Sequence, residues 1–252
     1  MRRAHNLQLI PLRTLPEVPQ GADLAALILG AVAREGLEFQ RGDVLVVAQK
    51  IVSKAEGRTI PLSSIKPSAL AREWAPRLGQ DARVTEVVLR ESRRVVRMTE
   101  RALIVETRHG FVCANAGVDR SNVPGSCVTC LPKDPDASAR RIAGSVRRRT
   151  GFAVPVIISD TFGRPWRLGL VNAAIGAYGL RVLEDLRGTS DACGHVLRAT
   201  ILAVADELAA AAGLLMGKSE GVPAVIVRGF RCRAAQETAR RLLRPAAEDM
   251  FR

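Results

Sequence analysis

The sequence predicts an α+β protein, and three observations carry that prediction. Short runs rich in β-branched residues, Val44-Leu45-Val46-Val47, Val154 to Ile158 and Ala224-Val-Ile-Val227, have the composition of buried strands. Longer segments with apolar residues at helical spacing lie before and between them, from about Leu24 to Arg34, from Pro67 to about Arg94 and from Ala199 to Met216. Ala102 to Glu106 and Phe111 to Ala114 form two further strand-like runs, which Arg108-His109-Gly110 joins as a hairpin.

Taken in order, Leu7 to Pro19 alternates apolar and polar residues and carries Pro11, Pro16 and Pro19, the pattern of an edge strand that enters a loop. Asp23 is an N-cap for the first helix and Gly36 its stop. Gly42-Asp43 turns into the first buried run, which is followed at once by Gln49, Lys50, Ser53, Lys54, Glu56, Gly57 and Arg58. Two lysines four apart at that place suit an anionic ligand, or equally the basic start of a surface helix. In the Pro67 to Arg94 segment Gly79 breaks two helices and Trp74 is a core residue. His109, in the hairpin turn, is expected to be solvated. Asn115 to Gly125 is a polar, glycine-punctuated loop that carries Asp119. Asp134-Pro135-Asp136 opens a basic helix that runs through Arg149, its acids on the positive end of the helix dipole. His195 lies in a loop without an evident partner, and beyond Val227 the pattern predicts a helix to Leu243 and a docked tail, Arg244 to Arg252.

With 252 residues, 47% hydrophobic and only 4% aromatic, the core has to be built from Ala, Val, Leu and Ile. No apolar run reaches the roughly 18 residues of a membrane span, and the N-terminus lacks the apolar stretch of a signal peptide, so a cytoplasmic protein is expected. A formal net charge of +13 and a pI of about 10.8 invite a nucleic-acid reading. Against it, the arginines are spread along the chain and no aromatic residues are interleaved to stack bases; an anionic small substrate accounts for part of the excess. The five cysteines are an odd number, and Cys127-x-x-Cys130 has no second pair to close a zinc site; reduced thiols are expected.

The stretch Val156 to Arg167 holds the most chemistry. Asp160 and Thr161 offer hard oxygen ligands for Mg²⁺ or Mn²⁺ after a buried strand, and Arg164 and Arg167 offer guanidinium forks for phosphate or carboxylate oxygens. The alternative is a strand-to-turn exit with the acid in a surface ion pair. If Asp119 and Asp160 converge, two carboxylates in one pocket call for a cation between them. Ala212 to Ser219 imitates a Walker A loop, but there a strand must precede the loop and a helix follow it, and here the order is reversed.

Gly42 to Arg58, Asn115 to Asn122, Leu131 to Ser138, Ile158 to Arg167 and the segment from Ala205-Asp-Glu-Leu208 through Met216-Gly-Lys218 together resemble the coenzyme F420-0:L-glutamate ligase (gamma-glutamyl ligase) family. The resemblance runs from about residue 8 to the C-terminus and implies one unit over residues 1–252, without a separate C-terminal nitroreductase-like domain. It implies mixed and antiparallel sheets with packed helices, a GTP-binding fold that is not a P-loop, and an intertwined homodimer. The implied reaction adds L-glutamate to coenzyme F420-0 at the expense of GTP, with two Mg²⁺ or Mn²⁺ ions and K⁺. By motif, Asp119, Asp160 and Thr161 are implied metal ligands, and Asn122 a GTP contact. Leu15, Pro16, Gln49, Lys50, Lys54 and the loop Met216, Gly217, Lys218, Ser219, Glu220, Gly221 to Pro223 complete the implied nucleotide site. Arg164 and Arg167 are expected to hold the substrate.

Two departures stand out. Lys218 occupies a position where some members carry an acid that helps bind the second metal, and Ser126 to Cys130 replaces a more aliphatic stretch. Other readings are a related GTP-dependent ligase with a different amino acid or acceptor and, from another class, a basic nucleic-acid-binding module.

Overall fold

The computed structural model describes residues 6–249 except 101 and 124, so the last three residues of the expected tail lie outside the described residues. β1 (Gln8–Pro11) is the expected proline-bearing edge strand. α1 (Leu24–Arg34) starts where the Asp23 carboxylate accepts the Ala26 N–H at 3.1 Å, and Gly36, at φ 66°, turns the chain away after it. β2 (Val44–Ala48) runs without a loop into α2 (Gln49–Ala55). β3 (Thr59–Pro61), α3 (Ala69–Arg77), α4 (Ala82–Glu91), β4 (Ser92–Met98), β5 (Leu103–Thr107), β6 (Val112–Ala114) and β7 (Cys127–Thr129) build a smaller region. α5 (Pro135–Thr150), capped by Asp134 through the Ala137 N–H, leads back to the main sheet through β8 (Val156–Arg164) and β9 (Arg167–Tyr178). β10 (Glu184–Asp185), β11 (Ile201–Leu202), α6 (Val204–Met216) and β12 (Ala224–Arg228) complete the order.

The main sheet has the order β1-β12-β2-β8-β9 and is antiparallel except for the parallel pair β2/β8. Its inner strands read as continuous apolar runs because both faces are covered. Leu45, Val47, Val156, Ile158, Ala224 and Ile226 pack with α1 and α5, while Val44, Val46, Ile157, Val225 and Val227 pack with α6. β9 is an edge, and two acids, Asp136 buried and Asp206 half-buried, serve backbone N–H groups on it. Asp206 accepts Ala174 N–H and Asp136 accepts Ala177 N–H, both at 2.8 Å. Asp136 is therefore more than a helix-start acid, since it also accepts Ala239 N–H at 2.9 Å.

Several expectations are corrected. The helix predicted to about Arg94 ends at Glu91, because Ser92 leaves it in extended geometry and β4 pairs with β5 through two register shifts. Glu106 on β5 neutralises Arg93 and Arg94 there. β8 does not stop at Asp160 but continues to Arg164, paired throughout with β9, and the turn falls at Pro165-Trp166, with Trp166 at φ 63°. α6 begins only at Val204, because Ile201–Leu202 pairs with Glu184–Asp185. The helix expected before Leu243 is replaced by irregular chain and one 3₁₀ turn at Ala239–Leu242, held by Asp136 and by Glu237, which accepts Val182 N–H at 2.9 Å. Residues 244–248 are exposed rather than docked. His109 is not solvated: its Nε2 lies 2.9 Å from Pro132 O and its ring stacks on Phe111. His195 has a partner in Asp191, at 3.5 Å. Trp74 is half-buried against Val88, Leu103 and Val105. All five cysteines are free, and burial pushes Cys113 and Cys130 up to about 12. No helix among the described residues is long and apolar enough to cross a membrane.

Candidate functional site

A cavity of about 670 Å³ opens where the main sheet meets the smaller region. Leu15, Pro16 and Glu17 form one wall, and Gln49, Lys50 and Lys54 of α2 a second. Asp119 and Asn122 enter from the smaller region, Ser159, Asp160 and Thr161 from the middle of β8, and Asn172 from β9. Met216, Gly217, Lys218, Ser219 and Gly221 close the far side as α6 gives way to the loop before β12. The order there is helix, loop, strand, the reverse of a Walker A element.

Asp119 is aimed by its backbone. Asn115, Ala116 and Gly117 all have positive φ, and a two-way bridge ties Asp119 to Thr129 through Asp119 N–H to Thr129 O at 3.0 Å and the reverse bond at 2.8 Å. Gly117 is required at its position, since a Cβ would sit 2.7 Å from the Leu131 side chain. The Asp119 carboxylate accepts from Lys50 Nζ at 2.7 Å, from Ser121 N–H at 2.7 Å and from the Ser121 hydroxyl at 2.8 Å. Burial raises its pKa, but these bonds outweigh it and hold the carboxyl below the usual range. Lys50 Nζ also donates to Ser121 O at 2.7 Å.

Asp160 lies in the opposite condition. Burial pushes its carboxyl up to about 6; the Asp119 charge adds to the rise, while the Thr161 backbone N–H, Lys218 and Lys50 oppose it. Thr161 Oγ1 donates to Asn172 Oδ1 at 3.0 Å and accepts from Lys218 Nζ at 3.1 Å. Lys54 pairs with Glu17 at 2.5 Å, and Asn122, at φ 53°, donates to Lys218 O at 3.2 Å.

As a donor set, two carboxylates and a hydroxyl suit one hard divalent cation, and a buried carboxylate that resists ionisation beside a second one is the electrostatic signature of such a place. Among the described residues no group of three or more His, Cys, Asp or Glu side chains converges, so the Glu17 carboxylate does not join the other two.

Three of the residues singled out from the sequence do not line the cavity. Glu220 turns back under Gly217, where a Cβ on the glycine would sit 2.6 Å from Glu220 Cγ. Arg164 and Arg167 are exposed near the tip of the β8–β9 hairpin, where the Arg164 guanidinium donates to Leu168 O. Arg164 stands four strand residues beyond Asp160, a rise of about 13 Å. Glu17, Ser121 and Asn172 were not singled out. Ser121 follows an aspartate by two, the spacing of an Asx turn, which is a signal the sequence holds. Asn172 is opposite Thr161 only because a register shift at Gly163/Arg164 displaces the pairing, which no local pattern announces.

The F420-0:gamma-glutamyl ligase family model matches residues 13–229. The chain is 47% identical to the coenzyme F420:L-glutamate ligase of Methanothermobacter thermautotrophicus over 249 residues, 98% of this chain and 99% of that protein. It is 47% identical to that of Methanopyrus kandleri over 251 residues, 98% of each chain. It is 41% identical to that of Archaeoglobus fulgidus over 247 residues, 98% of this chain and 96% of that protein. With the match spanning most of both partners in each comparison, the chain belongs to the F420-0:gamma-glutamyl ligase family.

Proposed function

We propose that the chain is a GTP-dependent ligase that joins the amine of L-glutamate to a carboxylate of coenzyme F420-0, releasing GDP and phosphate. The observation that carries the reading is one cavity holding Asp119, Asp160 and Thr161 opposite the ammonium groups of Lys50, Lys54 and Lys218. Anionic phosphates and a divalent cation are the ligands such a mixture of charges accommodates.

In this reading the γ-phosphoryl group passes to a carboxylate oxygen of the acceptor, the bond from the bridging oxygen to the γ-phosphorus breaks, and GDP leaves. The glutamate nitrogen then attacks the acyl carbon of the acyl phosphate, phosphate departs, and the nitrogen loses a proton. Asp119 and Asp160 would hold Mg²⁺ or Mn²⁺, which neutralises charge on the transferring group. Lys50 keeps Asp119 ionised and fixed before any ligand arrives. Lys54 and Lys218 present point charges to phosphate oxygens, and Asn122 fixes the Lys218 backbone. Leu15, Pro16 and Met216 give apolar surface that excludes water from the reacting groups.

The test is GDP release with F420-0, L-glutamate and Mn²⁺ together and with each omitted in turn; turnover that ignores glutamate would sink the proposal. A panel of amino acids in the same assay separates it from a ligase of different specificity, and replacing K⁺ by Na⁺ tests the potassium requirement. Asp160→Asn is expected to lower turnover at least about 100-fold, the scale of removing one electrostatic stabiliser of a transition state.

The hairpin tip bears on assembly. Trp166, Leu168 and Leu170 are 86%, 96% and 65% exposed, side by side on a projecting ribbon. A second copy of the chain is the occupant this reading assigns to them, because an apolar patch carried outward marks an interface. Arg164 and Arg167 act on substrate in this reading only across that interface. Light scattering is expected to give a dimer mass for the native chain and a monomer mass for Trp166→Asp/Leu168→Asp; a monomeric native chain would refute it.

A further inference from the structure

We propose that Lys218 is a built-in cation that takes the place of a second divalent metal, so that the site holds one metal ion. The inference rests on the metal-site reading above and concerns the contacts of the Lys218 side chain.

Thr161 is the pivot. A hydroxyl has one proton and two lone pairs. Its proton goes to Asn172 Oδ1 at 3.0 Å, and the Lys218 ammonium donates to its oxygen at 3.1 Å. The oxygen available to a cation beyond Asp160 therefore already faces a positive charge. That charge is not carried on a free arm. The Lys218 carbonyl accepts from Asn122 at 3.2 Å, and the preceding Gly217 makes the turn out of α6 at φ 54° and ψ −160°. The root of the side chain is thus held from both sides while the ammonium lies over β8.

The charge balance of the walls points the same way. Glu17, Asp119 and Asp160 face Lys50, Lys54 and Lys218. Lys54 is paired with Glu17 and Lys50 with Asp119, which leaves Asp160 and Lys218 as the remaining opposite charges. One divalent ion between Asp119 and Asp160 finds two carboxylates. A second, at Thr161, would meet an ammonium, while Glu17 is already engaged by Lys54 and Glu220 is turned under Gly217 and does not line the cavity. An ammonium is a compact point charge that can neutralise a phosphoryl oxygen, as a metal would, without needing a ligand shell of its own.

The experiment counts metal rather than turnover. The full chain is dialysed to equilibrium against Mn²⁺ with saturating GDP, and bound Mn²⁺ per chain is measured. One Mn²⁺ per chain is expected for the native protein and for Lys218→Met, which removes the ammonium without adding an acid. Two are expected for Lys218→Glu, which supplies the missing carboxylate. Two Mn²⁺ in the native chain, or one in a Lys218→Glu chain that is saturated with GDP and keeps the native circular dichroism, would overturn the inference alone. A native chain that binds GDP and no Mn²⁺ would overturn the metal-site reading and this inference with it.

Discussion

Gly213 lies inside α6, where replacing glycine by alanine ordinarily stabilises a helix by about 1 kcal/mol. In this chain that gain should disappear. A Cβ at Gly213 would sit 2.9 Å from Asn172 Cγ, 3.0 Å from its Nδ2 and 3.1 Å from its Cβ. Carbon atoms pack at about 3.5–4.0 Å, so Asn172 must move by roughly 0.5–1 Å. Its freedom to do so is small, because Oδ1 holds the Thr161 hydroxyl at 3.0 Å and Nδ2 lies 3.5 Å from Met216 Sδ. Losing the Thr161 bond costs about 0.5–1.5 kcal/mol, and off-rotamer strain adds a similar amount. Gly213→Ala should therefore leave stability unchanged or lower it by up to about 2 kcal/mol, whereas in an Asn172→Ala background it should stabilise by about 1 kcal/mol. Urea denaturation of the native chain, both single variants and the double variant gives the coupling, expected at about 1–3 kcal/mol. Turnover of Gly213→Ala should fall about tenfold as the Thr161 hydroxyl loses its orienting partner, within the range for one hydrogen bond. Full stabilisation of the single variant with unchanged turnover would refute the packing relation between α6 and Thr161.

Gly176→Ala should destabilise by about 2–3 kcal/mol, because the new Cβ would fall 2.5 Å from Pro135 backbone atoms and force α5 away from β9; a thermal midpoint lowered by roughly 5–10 °C is expected. Glu86 is held at about 2, below its ordinary value of 4.5, by hydrogen bonds from Ser68 and then Arg90. Its folded pKa is depressed, so its contribution is complete above pH 4.5 and is lost as pH falls toward 2. Glu86→Gln should cost about 1–2 kcal/mol at pH 7, a figure reduced for solvent around the exposed Arg90, and the two unfolding curves should converge near pH 2. A difference that persists unchanged at low pH would count against the charged hydrogen bonds.

What was legible in the sequence follows from what is local. β2, β8 and β12 announce themselves because a sheet covered on both faces needs apolar residues at every position, and Asp23, Gly36 and Asp134 mark helix ends through bonds to residues only a few places away. β4 does not, because its arginines are compatible with a strand only once Glu106 lies across from them and two register shifts are accommodated. The segment after β12 has the alanines, leucines and arginines of a helix, yet Asp136 holds Ala239 from 103 residues away and the segment's own Glu237 accepts the N–H of Val182, 55 residues back, which keeps it in irregular form. At the site, the residues carried by motifs line the cavity except Glu220, whereas Asn172 depended on the displaced pairing of β8 with β9, and the arginines at 164 and 167 on how far that hairpin extends.

The position of the cavity gives the two parts of the fold a reason to meet. Asp119 belongs to the region built around β5, β6 and β7, and Asp160 to the main sheet. Brought together alone, the two carboxylates would repel; burial is the chief cause of the rise of Asp160, and the charge of Asp119 adds to it. Lys50 answers it from α2, at the end of β2, by reaching Asp119 and both Ser121 oxygens across the junction. Its three bonds are thus at once a structural tie and the means by which a second carboxylate can be tolerated there. The tie neutralises Asp119 but leaves Asp160 without a side-chain donor among the described residues, so the junction is satisfied on one side and electrostatically open on the other. An arrangement selected only for stability would close both sides; one that leaves the buried side open fits the proposed cation and the phosphate it would carry.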